Sequence, residues 1–238
     1  MISDFRSFYN SHFSSNSPGL LASQHIGHRT FTIWNWKSGE SIGDLKDFNH
    51  FGFVFNDTVV LTSHTGDFLL SPGMSFSTLG LISLAGSGNV FGVSVNKFQS
   101  LFQLVGPIFP EGLLSYIDGC TDSLLIPPPR LGDPCLNHLH FPPGTNQTQH
   151  THPSFRAGLV FSGRGQAHLD NKIKDISQGE VFLLPSGELH SFQTYESSMD
   201  IIAFHPDSDF GPTDTNHPMI NRTIIDGQPA SYIKDILT

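Results

Sequence analysis

Two stretches in the second half of the chain hold its densest chemistry: Pro143-Gly144-Thr145-Asn146-Gln147-Thr148-Gln149-His150-Thr151-His152 and Gly179-Glu180-Val181-Phe182-Leu183-Leu184-Pro185-Ser186-Gly187-Glu188-Leu189-His190. In a strand, residues i and i+2 project from one face, so His150 and His152 offer two imidazoles side by side. His190 follows a Pro-x-Gly turn after an apolar run, a placement that folds it back against that pair. Three imidazoles brought together in this way make a borderline-soft nitrogen site suited to Fe, Zn, Ni, Cu or Mn. Coordination positions remain for water or substrate.

On either side of these stretches the pattern is that of short strands. From about residue 30 to 95 no 3.6-residue period is visible. Alternating or β-branched runs such as Phe31-Thr32-Ile33-Trp34 and Thr58-Val59-Val60-Leu61 stand between Gly, Asn and Pro, which reads as a β domain. Phe98, Leu101, Phe102 and Val105 then fall at i, i+3, i+4, i+7 behind Asn96 and stop at Gly106-Pro107, predicting a short helix. Leu113, Leu114 and Ile117, closed by Gly119, predict a second. Ile126-Pro127-Pro128-Pro129 is a stiff extended link, after which short strands resume to about Ile202. Ile2, Phe5, Phe8 and Tyr9 predict an amphipathic lead-in, and Pro229, Tyr232, Ile233 and Ile236 a last helix.

The expected division is therefore a β domain over 1–95, a helical and Pro-rich connector over 96–131, and the histidine-bearing β domain over 132–238. Two short alignments relate the halves: 53–57 with 159–163 at an offset of 106, and 66–73 with 179–187 at an offset of 113. Both occur in the same order, which favours a duplicated β domain.

The spacings of Gly144, His150, His152 and Gly163, and of Gly179, Pro185, Gly187 and His190, resemble the two motifs of the cupins. The first of these has Gly, five residues, His-x-His, three or four residues, Glu, six residues, Gly. The second has Gly, five residues, Pro-x-Gly, two residues, His. The resemblance covers about residues 138–195, and with the internal repeat the chain looks like a bicupin. It implies an all-β fold of two tandem jelly-roll barrels, here with the helical connector and terminal helices read above. It also implies a divalent metal in the mouth of the C-terminal barrel on His150, His152 and His190.

One position departs from the pattern. Four residues after His152, where the family places its Glu ligand, stands Arg156, which is always cationic and cannot coordinate a metal. Parity aims it at the histidine side, and a cation there calls for an anion between it and the metal, hence a carboxylate-bearing substrate. A three-His set lacking the acidic ligand is similar to the iron-dependent thiol dioxygenases of this superfamily, which bind a carboxylate through Arg. That likeness implies an oxygenase with Fe(II) as the favoured metal, Zn, Ni or Mn being the others, and Arg156 as the catalytic clamp. In the first copy the offsets put Asp44, Lys46, His50 and Ser77 at the places of His150, His152, Arg156 and His190, so no metal set survives there.

Composition excludes other classes. A net charge of −9 without a Lys/Arg cluster argues against nucleic acid and membrane surfaces as partners. The start, MISDFRSFYN, lacks the apolar core of a signal peptide, and nowhere do 18 apolar residues run together, so the expected location is cytoplasmic. Only Cys120 and Cys135 occur, and both are expected reduced. With 23 glycines and 16 prolines in 238 residues, the chain is turn-heavy and built of short elements.

Plainer readings stand beside these. Arg156 could instead point outward into solvent. His138 and His140 read as a solvated strand face, His168 as surface, His205 as the end of the last strand, and the many Phe as core. The polar stretch 205–222 reads as a cover for a barrel or a partner subunit. Two rival functions remain: a non-catalytic, sugar-like sensor similar to the metal-free ligand arm of the arabinose-type regulators, and a cupin isomerase or lyase. A homodimer is expected, because jelly rolls leave sheet edges for another barrel to cover.

Overall fold

The alternating runs of the first half do form strands, and they do so twice over. The computed structural model describes residues 13–14, 18–40, 42, 45–170, 172–208, 224–225, 227–229 and 232. After β1 (Phe13–Ser14), the first half runs β2 (Gly19–Ile26), β3 (Arg29–Lys37), β4 (Phe48–Asn56), β5 (Val59–Ser63), β6 (Gly66–Leu70), β7 (Ser75–Leu79), β8 (Ser83–Gly86), β9 (Asn89–Asn96) and β10 (Gln103–Val105). The second half runs β11 (Leu114–Ser115), β12 (Thr121–Ile126), β13 (Cys135–Phe141), β14 (Arg156–Leu169), β15 (Lys172–Ser177), β16 (Val181–Leu184), β17 (His190–Gln193) and β18 (Met199–His205). Among the described residues there is no α-helix, and none long and apolar enough to cross a membrane.

Each half is a jelly roll of antiparallel strands with one large and one small sheet. In the first, β10-β7-β4-β9-β3-β2 faces β6-β5-β8; in the second, β1-β16-β14-β18-β13-β12-β11 continues into β15 and β17 through the outer end of the long strand β14. β14 therefore does in one piece what β4 and β5 do in two, with the break after Asn56 marked by Asp57 at φ 51. The ladders superpose at the offset of 106. Val54 N–H bonds the Met74 carbonyl as Val160 N–H bonds that of Glu180, and Gly73 N–H bonds Val54 as Gly179 N–H bonds Val160. Gly73 and Gly179 both sit at positive φ, 83° and 90°, in the turn where only glycine is unstrained.

This register corrects the second alignment. The run at 66–70 is β6, the counterpart of β15, so the match of 66–73 to 179–187 at offset 113 is coincidental. Leu61 faces Leu84 as Ala167 faces Phe192, which puts Ile82, rather than Ser77, at the place of His190.

The expected helical connector is absent. Gln103–Val105 pairs with the edge of β7, and Leu114–Ser115 with β12. Residues 117–119 make only a 3₁₀ turn, with Asp118 at φ 55. The helical spacing of Phe98, Leu101, Phe102 and Val105 was misleading because about ten residues are marginal for a helix. The unpaired edge of β7 instead offers backbone partners at once. Leu101 stays 63 % exposed. The lead-in helix falls outside the described residues, as does nearly all of the C-terminal one; Gln228–Pro229 is a short strand paired with Ile224–Ile225.

Three clusters make up the core. Trp34, Val54, Leu61, Phe76 and Val90 fill the first barrel, while Val160, Ala167, Phe182, Phe192 and Ile201 lie inside the second. The largest cluster joins the two large sheets: Phe31, Phe51, Phe53, Phe155, Leu159 and Phe204 interlock between the barrels. Phe204 has Phe51 at 5.3 Å and Phe31 at 6.1 Å. The Phe excess thus fills the seam between barrels as much as their interiors. One short arm crosses this seam: β1, preceding the first barrel, pairs with β16 of the second, while β10, following β9, closes the first barrel's own sheet beside β7.

Candidate metal centre

The Pro-x-Gly turn brings the histidines together through backbone hydrogen bonds. Gly187, at φ 75, donates its N–H to the His152 carbonyl at 2.9 Å, and Ser186 Oγ donates to the Pro153 carbonyl at 2.7 Å. His150 and His190 then exchange both backbone hydrogen bonds, at 2.9 and 3.0 Å. The segment around His150 is an extended stretch with this single bridge rather than a regular strand. The i, i+2 geometry still holds, because the three rings lie with centroids 4.6, 5.0 and 5.1 Å apart. One nitrogen of each falls within 4.8 Å of the others.

Two of the rings are oriented by the chain itself. His150 Nδ1–H donates to the Thr148 carbonyl at 2.9 Å and His190 Nδ1–H to the Glu188 carbonyl at 2.8 Å, in each case two residues back. That fixes the tautomer and leaves the Nε2 lone pairs to face the centre, as a metal-ligating histidine requires. Burial lowers His152 to about 3, with the Arg156 guanidinium acting in the same direction, and burial lowers His190 to about 4. Both are neutral at physiological pH and able to act as ligands.

Arg156 points inward. It is 3 % exposed and lines the same cavity as the triad. Its charge is not left alone: Nη1–H donates to Ser154 Oγ at 2.6 Å and to the Phe155 carbonyl at 3.1 Å, and lies 3.6 Å from Asp207 Oδ1. Ser154 Oγ donates in turn to Asp207. Asp207 therefore supplies part of the anion that the sequence reading assigned wholly to substrate.

The cavity is small, about 40 Å³, room for a few atoms in this closed arrangement. Phe141, Phe182, Phe192, Leu139 and Ala203 give it apolar walls. Four polar groups to which the sequence gave no place in the site also line it, Gln147 among them. His205 is not only the end of the last strand but faces inward, its ring 6.3 Å from that of His152, and burial holds it well below its usual value. The inward parity of Met199, Ile201 and Ala203 on β18 was the available signal. Asp122 and Tyr116 belong to the stretch expected to connect the barrels, where no strand parity could be read.

His138 and His140 are a further correction. They are buried, not solvated, because their side of β13 is the one that carries Leu136 into the seam between barrels. Both donate to Asp200 Oδ1, at 2.9 and 2.7 Å, and Ser162 Oγ donates to the other oxygen. Burial works to raise the Asp200 carboxyl, but the hydrogen bonds from His138, Ser162 and His140 together hold it below the usual range. His168 is half-buried, so the surface reading was too simple there as well.

Among the described residues, the first barrel has no such centre. At the ladder positions of Arg156 and Asn137 it carries His50 and Trp34, and the Trp34 indole fills the interior. Trp34 Nε1–H donates to Ser94 Oγ at 2.7 Å, Ser94 pairs with His50 Nδ1 at 2.7 Å, and His50 Nε2–H donates to the Gly80 carbonyl at 2.8 Å. Both histidine nitrogens are used up in packing.

Comparison with known proteins agrees with this architecture. Residues 137–204 match the family described as "Cupin domain". No curated protein matches the sequence. Among solved structures, a cupin 2 conserved barrel domain protein from Leptotrichia buccalis is 13 % identical with a TM-score of 0.57, covering 86 % of this chain and 91 % of its own. Protein Ylba from E. coli is 16 % identical, TM-score 0.53, covering 79 % and 80 %. A salicylate 1,2-dioxygenase from Pseudaminobacter salicylatoxidans is 13 % identical, TM-score 0.55, covering 75 % and 70 %. At these identities the likeness concerns the fold.

Proposed function

We propose that the second barrel, whose residues 137–204 match the cupin domain family, is a metal-dependent site of the oxygenase type. It would hold one divalent transition metal, Fe(II) by preference, on His150, His152 and His190, and act on a small anionic substrate. The observation that carries this reading is the convergence of three imidazoles, two of them locked by backbone carbonyls, on one point beside a cavity. When bound, the metal would supply Lewis acidity and open coordination positions.

The remaining work falls to the chain's own groups. Arg156, held in place by Ser154 and Asp207, presents a fixed cation to the cavity and orients a carboxylate there. The aromatic walls exclude water, which strengthens that attraction. His150 and His190 are kept from rotating by the Thr148 and Glu188 carbonyls, so the triad needs little rearrangement to take up its ion.

Metal analysis of protein purified without a His tag tests the reading. About one equivalent of Fe, Mn, Ni or Zn, lost in the His150→Ala/His152→Ala variant, is expected. Metal-free protein whose thermal stability is untouched by chelation would refute it and favour the non-catalytic sensor instead.

A further inference from the structure

The cavity holds one charged group that the metal reading does not use. Asp122 on β12 is 3 % exposed, and its two oxygens accept hydrogen bonds from a single donor, Asn137 Nδ2, at 3.1 and 2.8 Å. The Ser123 backbone amide contributes a further bond. A carboxylate offers about four acceptor positions, so this set does not saturate it. Burial pushes its carboxyl up, although Asn137 opposes the shift. An acid so fully removed from water is costly to keep unless something uses it.

The fold itself does not demand the pair. In the first barrel the ladder position of Asn137 is taken by Trp34, and that barrel closes around the indole. The Asp122–Asn137 pair accompanies the barrel with the triad and its small cavity. Its placement is also distinct from that of Arg156. In the sheet order β14-β18-β13-β12 two strands separate them, so the cation and the acid approach the cavity from different sides.

We propose that Asp122 is a substrate-binding residue, accepting a hydrogen bond from a hydroxyl or ammonium group of the small acid whose carboxylate meets Arg156. This rests on the metal reading above and narrows it: the ligand is a hydroxy or amino acid rather than a plain carboxylate. Asn137 positions the acid, and the aromatic walls keep competing water away.

Co(II)-loaded protein, followed through its cobalt absorption bands, provides the test. It is titrated with acetate, glycolate and glycine, then with propanoate, 3-hydroxypropanoate and β-alanine, then with the four-carbon set. At one chain length the hydroxy or amino acid should bind about tenfold tighter than the plain acid, the size of one charge-assisted hydrogen bond. Asp122→Asn should bring that ratio near one while leaving cobalt stoichiometry and plain-acid affinity unchanged. Equal affinities at every length in the wild type, or a preference that survives in Asp122→Asn, would overturn the proposal. Should that variant not fold, Asp122→Ser takes its place, and the wild-type ratio already decides the first point. Absence of any cobalt band in the wild type would instead refute the metal reading, and this one with it.

Discussion

Lowering the pH should unfold the metal-free protein through its buried histidines: three held near 3 to 4, and His205, which burial holds well below its usual value in the same sense. His50 and His190 are each held neutral by burial, near 4 against a usual 6.5, and His152 near 3. In the unfolded chain all three take up protons as the pH falls below 6.5, while in the folded chain they do not. The folded state therefore loses stability from about pH 6.5 downward, and the loss ends near pH 4 for His50 and His190 and near pH 3 for His152, where the folded rings protonate too. Between pH 7 and pH 5, His50 and His190 each contribute a loss of about 2 kcal/mol. The more exposed His152 adds a smaller amount. The ~4 kcal/mol from His50 and His190 alone is a large part of the ~5–15 kcal/mol that holds a typical domain together. Urea unfolding at pH 7, 6 and 5 in the presence of a chelator measures it. His50→Gln should remove about a quarter to a third of the pH dependence, and its barrel lies apart from the triad, so metal uptake should not change. Stability that stays level from pH 7 to pH 5, or a slope unaltered in the His50→Gln/His190→Gln variant, would show that these rings are not held neutral.

Other expectations follow from packing. A Cβ at Gly158 would stand 2.6 Å from the Ile202 carbonyl and 2.3 Å from the Phe182 ring, so Gly158→Ala should cost about 1–3 kcal/mol in denaturant unfolding. Trp34→Ala empties the first barrel and should cost about 3–5 kcal/mol, while metal content stays as in the wild type. Cys120 and Cys135 are buried and not joined in a disulfide, and burial raises Cys120 to about 11. A thiol reagent should therefore find almost nothing in native protein at neutral pH and two thiols after denaturation.

The triad was legible because its chemistry is local. His150-Thr151-His152 needs only an extended backbone, and Pro185-Ser186-Gly187 announces the turn that returns His190. What escaped the sequence depends on surfaces brought in from elsewhere. His138 and His140 lie on a strand face that looks exposed until the first barrel docks against that sheet. Phe98 to Val105 has a helix's spacing, yet the free edge of β7 recruits its end as a strand. Asp122 and Tyr116 reach the cavity because the segment after β10 belongs to the second sheet, and no periodicity marks where it turns inward. Asp207 lay in view as one of many acids after the last strand, and only the folded chain sets it beside Arg156.

The β1 arm and the closing strand β10 bear on how the molecule can be taken apart. A cut near residue 96 would leave the first half without β10, its closing strand beside β7, and would carry β1 away from the sheet it completes in the second half. Neither piece would own all its strands, and each would expose both a raw backbone edge and the phenylalanine face that had been hidden between them. Mixed in equal amounts, the fragments should seek each other out; alone, each should precipitate or borrow the missing strand from a copy of itself.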